Sequence, residues 1–268
     1  MSVKSEQGID NLVEVAHDLA RLSSEVILPY FRRQMTVENK SGIGGFDPVT
    51  AADRAAEEII RHELGARFPG HGIIGEEYGV TRGDAEYCWI VDPIDGTRSF
   101  VMGLPTWGTL IGLSRNGEPL LGLVNQPFTG ERFWNAGRTA HYRGPDGTRT
   151  IATRACPDLG SAILSSTTPD MFRNAFEWER FLAVRHRARM TRFGGDCMAY
   201  CLLAMGQIDV VIESSLESYD IRPMIPLIEA AGGRVTTWDG GRADNGGRIV
   251  AAGDPRLHDE VLRILDGP

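Results

Sequence analysis

The sequence predicts a layered α/β fold, and three observations carry this prediction. Two amphipathic helical segments open the chain, short apolar segments bounded by glycines follow, and strand-like and helix-like segments alternate from about residue 158. The chain has 268 residues, and 42% of them are hydrophobic, which is enough to build a large core. We therefore expect helices and sheets packed in layers.

Two antiparallel helices are predicted at the start of the chain. Apolar residues recur at helical spacing between residues 12 and 30, so the first helix is expected to end near Arg33. Thr50 and Asp53 match the pattern of a capping box, which predicts a second helix running to about Arg67. The first helix is interpreted as scaffold.

Short apolar segments then predict a sheet, with strands near residues 73–74, 88–91, 107–113, 120–124 and 132–134. The second half is predicted to alternate between strands and helices. Its strands are expected near residues 162–165, 190, 210–213, 235 and 249, and its helices near 171–184, 197–205, 221–231 and 257–265. We expect an α+β half over residues 1–155 and an α/β half over 156–268, packed as one continuous unit.

Charge and composition exclude several classes of partner. The chain carries 28 Lys and Arg against 36 Asp and Glu, a net charge of −8, which would repel nucleic acid and anionic membranes. No apolar stretch is long enough for a membrane span, and the N-terminus has no export-type apolar core. The four cysteines lack a CxxC spacing, which favours a reducing cytoplasm and argues against a zinc site.

The most informative segment runs from Trp89 to Thr97, where an apolar strand is predicted to end in Asp92 and Asp95. Two carboxylates at the end of a buried strand are unfavourable unless a cation neutralises them, and oxygen ligands of this kind suit Mg²⁺. The helix expected to start at Gly96 and Thr97 would present backbone N–H groups to an anion such as phosphate. The alternative is an ordinary acidic turn, because Asp, Pro and Gly are common turn formers.

Other acidic residues at the ends of predicted elements favour the metal site over the turn. Glu76 and Glu77 follow a short strand, and Asp47 closes a glycine-rich loop that begins at Lys40. Asp220 is expected at the start of a helix. Of the two neighbouring glutamates only Glu76 is expected to serve the site, because adjacent residues in an extended segment point in opposite directions.

These motifs resemble the inositol monophosphatase superfamily in order and spacing. The matching features are Lys40, Asp47-Pro-Val-Thr50-Ala-Ala-Asp53, Gly75-Glu76-Glu77, Asp92-Pro-Ile-Asp95-Gly96-Thr97, Tyr219-Asp220 and Glu229-Ala-Ala-Gly-Gly233. Three further segments look most like the histidinol-phosphate phosphatase branch, namely Arg98-Ser-Phe100, residues 103–110 and Gly194-Gly-Asp196-Cys. The resemblance covers nearly the whole chain.

The resemblance implies an α-β-α-β-α layered sandwich, a homodimer, and Mg²⁺-dependent hydrolysis of a small phosphorylated metabolite with two to three ions per subunit. Carried over by position, the metal ligands are Glu76, Asp92, the Ile94 carbonyl, Asp95 and Asp220. Asp47 and Thr97 would orient the attacking water, with Glu76 also in the catalytic set. Many relatives have Trp before the last aspartate, where this chain has Tyr219.

The substrate-binding residues expected beyond the metals are Gly96, Thr97, Gly195, Asp196 and Glu213. Histidinol phosphate carries an ammonium group, so a pocket that recognises it should contain a carboxylate such as Asp196 or Glu213. Asp196 can equally be a helix cap, since aspartate is common at helix N-termini. Inositol phosphate, fructose bisphosphate and nucleotide 3′-phosphate remain alternative substrates, and a regulatory interaction protein on the same scaffold remains the alternative without catalysis.

Overall fold

The computed structural model describes residues 3–34, 36–39 and 48–267. The helices in these residues are α1 (Val3–Ile27), α2 (Ala51–Arg67), α3 (Thr97–Met102), α4 (Ala175–Arg185), α5 (Asp196–Ala204), α6 (Ser218–Ile221), α7 (Met224–Ala230) and α8 (Pro255–Leu265). The strands of the first half are β1 (Glu38–Asn39), β2 (Pro48–Val49), β3 (Gly72–Gly75), β4 (Gly79–Thr81), β5 (Tyr87–Asp95), β6 (Gly108–Arg115), β7 (Glu118–Gln126), β8 (Glu131–Ala136), β9 (Thr139–Gly144) and β10 (Gly147–Ile151). Those of the second half are β11 (Ile163–Ser166), β12 (Met190–Phe193), β13 (Val210–Leu216), β14 (Arg234–Thr237) and β15 (Gly247–Ala252).

The strands form two large sheets and a small pair, β1–β2. The larger sheet has eight strands in the order β10-β9-β8-β7-β6-β5-β3-β4, in which only the β3–β5 neighbours are parallel. The second sheet has five strands in the order β12-β11-β13-β15-β14 and is mixed, with β11 parallel to both of its neighbours. Strands β5 and β6 are almost wholly buried, as expected for strands covered on both faces.

Three layers of helices alternate with the two large sheets, which confirms the predicted α-β-α-β-α sandwich. Helices α1 and α2 pack on the outer face of the eight-stranded sheet, where Leu19 and Trp89 share a core cluster. Helices α5 to α7 lie between the two sheets, and Leu227 packs in one cluster with Phe133. Helices α4 and α8 cover the outer face of the five-stranded sheet around Phe181. The candidate metal ligands therefore lie next to the middle layer.

Proline explains where two predicted helices differ from the structure. Helix α1 ends at Ile27 instead of near Arg33, because Pro29 follows and disfavours helical geometry at the residue before it. The single helix expected over residues 221–231 is two helices, α6 and α7, with Pro223 as the N-cap of the second. The capping box at Thr50 and Asp53 is confirmed, since both of its reciprocal hydrogen bonds form.

Strands β4 and β10, at the two edges of the larger sheet, lack the apolar pattern by which strands were predicted, and both are almost entirely exposed. Strand β10 is held by backbone pairing with β9, whose Ala140 and Tyr142 are buried in the core. Strand β5 continues beyond the predicted residues 88–91 through Asp95, so both aspartates belong to the strand itself. In the part of the chain that the structure describes, no helix is long and apolar enough to cross a membrane.

Candidate active site

Parallel pairing of β3 and β5 brings the first two acidic residues to the same edge of the sheet. Gly75 pairs with Val91, and the amide of Glu76 donates a hydrogen bond of 3.2 Å to the Val91 carbonyl. Glu76 directly follows Gly75 and Asp92 directly follows Val91, so the two acids lie side by side beyond this pair. After burial, the neighbouring Glu76 is the largest cause that raises the pKa of Asp92, and two such neighbouring carboxylates are readily ionised together only when positive charge lies beside them.

A β-bulge in β5 turns Asp92 and Asp95 towards the same place. Asp92 pairs with Leu110 and Asp95 with Gly108, so two residues of β5 stand opposite one of β6, and the Thr109 hydroxyl donates to the Pro93 carbonyl at 2.8 Å. In a regular strand, side chains three residues apart point to opposite faces, and the extra residue of a bulge restores them to one face. A proline within a buried strand is accommodated at such a bulge.

The third carboxylate comes from the middle layer. Asp220 lies in α6, where its carboxylate accepts the Glu217 amide at 2.7 Å while the Glu217 side chain caps the Asp220 amide. Oxygen atoms of Asp92, Asp95 and Asp220 all lie within 4.8 Å of one another. Asp92 is 1% exposed. Three buried or half-buried carboxylates thus converge, although they belong to β5 and α6.

The electrostatics of this cluster match a hard divalent cation. Burial, and then Glu76, Asp95 and Asp220, raise the pKa of Asp92 well above its ordinary value. Burial and the nearby Asp196 raise the pKa of Asp95 to about 8, and burial and Asp95 raise that of Asp220. Such acids are all ionised only when positive charge lies among them, and an all-oxygen donor set is the one that Mg²⁺ prefers. The residues therefore fit the expected metal.

Gly96 and Thr97 follow the bulge at the start of the six-residue helix α3. The Thr97 hydroxyl donates to the Ile94 carbonyl at 2.9 Å, which leaves the lone pairs of its oxygen able to accept a hydrogen bond from another group. Gly96 has a φ of 79°, and a Cβ there would lie 3.0 Å from two side-chain carbons of Asp196. Only glycine fits this turn without displacing Asp196.

Asp196 connects α5 to the segment around α3. Its carboxylate accepts the Ser99 hydroxyl at 2.6 Å and the Thr106 hydroxyl at 2.8 Å, and it is 8% exposed. The N-cap of α5 is Gly195, and the amide of Cys197 donates instead to Asp95 at 2.8 Å. The interpretation of Asp196 as a helix cap is therefore wrong. Its φ of 43° is a strained value for a non-glycine residue.

Glu213 is a buried carboxylate in β13. It accepts hydrogen bonds from the Thr167 amide at 2.9 Å, the Thr167 hydroxyl at 2.6 Å and the Tyr200 hydroxyl at 2.9 Å. Burial raises the pKa of Glu213 to about 7, while these hydrogen bonds oppose the shift. Glu213 contributes to the raised pKa values of both Asp95 and Asp220, so it lies within electrostatic range of the carboxylate cluster.

Several partners in the site were missed by sequence reasoning. Ser99, Thr106, Thr167 and Tyr200 bond the carboxylates through contacts that link distant parts of the chain, and no local pattern marks them. Asp53 is buried beside the site, and burial raises its pKa to about 6. The candidate residue Asp47, together with Lys40, lies outside the described residues.

Comparisons of family, sequence and structure relate this chain to known proteins. The model of the inositol monophosphatase family matches residues 9–266. The bifunctional phosphatase IMPL2 of Arabidopsis thaliana is 39% identical over 98% of this chain and 77% of its own length. A histidinol-phosphatase of Mycobacterium tuberculosis is 38% identical over 82% of this chain and 85% of its own. The solved structure of an inositol monophosphatase from Zymomonas mobilis superposes with a TM-score of 0.85 at 37% identity, over 96% of this chain and 98% of the other.

Proposed function

Because the chain belongs to the inositol monophosphatase family and is a phosphoric monoester hydrolase, we propose that it hydrolyses histidinol phosphate to histidinol and phosphate, a reaction of histidine biosynthesis. Two kinds of relative bear on the substrate. Three histidinol-phosphatases are 32 to 38% identical to this chain, and an inositol-1-monophosphatase of Caulobacter vibrioides is 32% identical. Identity of this degree supports the histidinol-phosphate branch without excluding inositol phosphate.

The ligands proposed for two to three Mg²⁺ ions are the Asp92, Asp95 and Asp220 carboxylates, the Glu76 carboxylate and the Ile94 carbonyl. Bound Mg²⁺ would lower the pKa of water and neutralise the phosphate and the departing alkoxide. The fold contributes the rigid strand edge and the bulge that hold these oxygen atoms together. Hydrolysis by such an activated water requires no covalent intermediate on the protein.

Thr97 is proposed to orient the attacking water together with Asp47. Since the Thr97 hydroxyl donates its hydrogen to the Ile94 carbonyl, its oxygen can accept a hydrogen bond from the attacking water. An acceptor held in this way fixes the direction of the water lone pair used for attack. Gly96 and Thr97, at the start of α3, are proposed to contact the phosphate.

The observation that carries the choice of substrate is the pair of buried carboxylates beyond the metal cluster. Asp196 and Glu213 are 8% and 2% exposed, and each adds negative charge close to Asp95. A carboxylate offers about four acceptor positions, and three donors use those of Glu213, which leaves one for a substrate N–H group. This acidic surrounding favours a substrate that carries an ammonium group over one that carries only hydroxyls. Gly195 would allow close approach at the start of α5.

Steady-state phosphate release from a panel of substrates tests this proposal. Histidinol phosphate, inositol 1-phosphate, fructose 1,6-bisphosphate and a nucleotide 3′-phosphate would be compared with Mg²⁺ and with EDTA. We expect the highest kcat/KM for histidinol phosphate, and only with Mg²⁺. A preference for inositol 1-phosphate would overturn the substrate, and turnover of none of the four would favour the regulatory protein.

Three further expectations accompany this function. We propose a homodimer on the strength of the family resemblance, which light scattering of the purified chain tests. Direct nucleic-acid binding is not expected at a net charge of −8. The four buried, free cysteines suit the reducing cytoplasm, and the halves 1–155 and 156–268 are proposed to unfold as one unit.

A further inference from the structure

We infer that Glu57, a residue of α2 outside the catalytic set, is a positioning residue that holds the metal ligand Glu76 in place. The inference rests on the proposed function, since it takes Glu76 as a metal ligand. It also gives Arg61 and Gly75 specific roles. The turn of residues 76–78, which contains Glu76, connects β3 to β4.

Glu57 is fully buried, and its carboxylate accepts from three donors. Arg61, one helical turn further along α2, donates at 2.6 Å. The amides of Glu77 and Tyr78 donate at 2.7 and 3.1 Å. A buried carboxylate is stable only when it is paired and hydrogen-bonded, so these contacts fix the position of Glu57 as well as that of the turn.

The contacts of Glu57 hold the backbone on the C-terminal side of Glu76. On the N-terminal side, the amide of Glu76 itself donates to the Val91 carbonyl. The next amide, that of Glu77, donates to Glu57. Both peptide groups that flank the Cα of Glu76 are therefore fixed, one by the sheet and the other by α2. This limits the directions open to the Glu76 side chain towards Asp92.

Arg61 and Gly75 complete the arrangement. Arg61 also donates to the Gly79 carbonyl and to the Thr81 hydroxyl, the latter at 3.1 Å, so that the other end of the turn is attached to α2 as well. A Cβ at Gly75 would lie 2.0 Å from an oxygen of Glu57. Glycine is therefore required next to Glu76 for the carboxylate of Glu57 to reach the turn.

Metal affinity measured by calorimetry with Mn²⁺ tests the inference on the full-length chain. Groups that orient a metal ligand without touching the metal change affinity by about 10- to 100-fold when replaced. We expect Glu57→Gln to raise the Kd for Mn²⁺ at least about 10-fold, while kcat at saturating Mg²⁺ changes less than about threefold. The matched control is Glu58→Gln, the exposed neighbour on the same helix, which should bind Mn²⁺ like wild type.

A double variant separates positioning from a general loss of structure. If Glu57 acts through Glu76, Glu57→Gln should weaken Mn²⁺ binding little further in a Glu76→Gln background, whereas independent effects would multiply. Arg61→Gln provides a second test should Glu57→Gln fold poorly, and it should raise the Kd in the same direction. Unchanged Mn²⁺ affinity in both single variants, or multiplicative effects in the double variant, would overturn the inference. Unchanged affinity in Glu76→Gln itself would instead refute the proposed metal site.

Discussion

Replacing Glu213 by glutamine should stabilise the fold at neutral pH while it impairs the proposed reaction. Burial holds the pKa of Glu213 at about 7, against 4.5 for an ordinary glutamate. The folded state therefore binds this proton more tightly than the unfolded state does. The stabilisation that results is complete below pH 4.5 and is lost as the pH rises through 7.

A pKa difference of about 2.5 corresponds to about 3 kcal/mol of unfolding free energy, which is the upper limit for this carboxyl group. Glutamine avoids this loss of unfolding free energy because its side chain is neutral at every pH and has nearly the same shape as that of glutamate. Its amide oxygen can accept from Thr167, and its amide nitrogen can donate to the Tyr200 hydroxyl once that group rotates. At pH 8 we therefore expect Glu213→Gln to be about 1 to 3 kcal/mol more stable than wild type.

Thermal unfolding in EDTA measures this difference without the influence of bound cations on Glu213. The melting temperature of Glu213→Gln should exceed that of wild type by roughly 2 to 5 °C at pH 8 and match it near pH 4.5. Glu179→Gln, on the exposed surface of α4, should melt like wild type at both values. A variant less stable than wild type at pH 8 would refute the assignment of a destabilising charge.

The same variant should lose recognition of the substrate ammonium. A hydrogen bond to a charged group contributes about 1.5 to 3 kcal/mol, so KM for histidinol phosphate should rise by roughly 10- to 100-fold. Inositol 1-phosphate, which has no ammonium group, should change less than about threefold in KM. Equal increases in KM for both substrates would show that Glu213 maintains the structure of the pocket and does not recognise the ammonium group.

Three other predictions concern the metals, the water and a buried histidine. Asp92→Asn should abolish both Mn²⁺ binding in calorimetry and turnover, Ca²⁺ should inhibit wild type, and full turnover after chelation would contradict the metal mechanism. Thr97→Ala and Asp47→Asn should lower kcat more than they raise KM, so a change in KM alone would reassign that residue to substrate binding. His258 is buried with its pKa lowered to about 4 by burial, so unfolding free energy should fall by up to about 3 kcal/mol as pH drops from 6.5 to 4. Chemical denaturation of His258→Phe should show an unfolding free energy that changes less with pH over this range. If the variant keeps the pH dependence of wild type, His258 is not its source.

The sequence alone was sufficient for the layered fold and for the identity of the clustered acids. Apolar periodicity located most helices and central strands, because those elements bury one or both faces. Glu76 and Asp92 could be expected at one edge of a sheet because each follows an apolar strand. The edge strands β4 and β10 escaped detection for the converse reason, since exposed residues held by backbone pairing leave no apolar pattern.

Features that depend on tertiary contacts could not be read from local patterns. Asp196 was weighed as a helix cap because aspartate is common at that position, yet its partners Ser99 and Thr106 are more than 85 residues away. Likewise, no local sequence pattern separates Glu57 from its neighbour Glu58, and only the contact of Glu57 with the turn after Glu76 distinguishes the two. Long-range pairing therefore decides the role of these carboxylates.

The β5 bulge explains why the spacing of Asp92 and Asp95 produces a metal site. Without the extra residue, these side chains would lie on opposite faces of a buried strand, and one of them would have to ionise in the apolar core. With it, Asp95 reaches the start of α5 and accepts the Cys197 amide, so part of its charge is stabilised by a helix N-terminus. The bulge therefore directs both charges towards the middle layer, where backbone donors and a divalent cation can share in neutralising them.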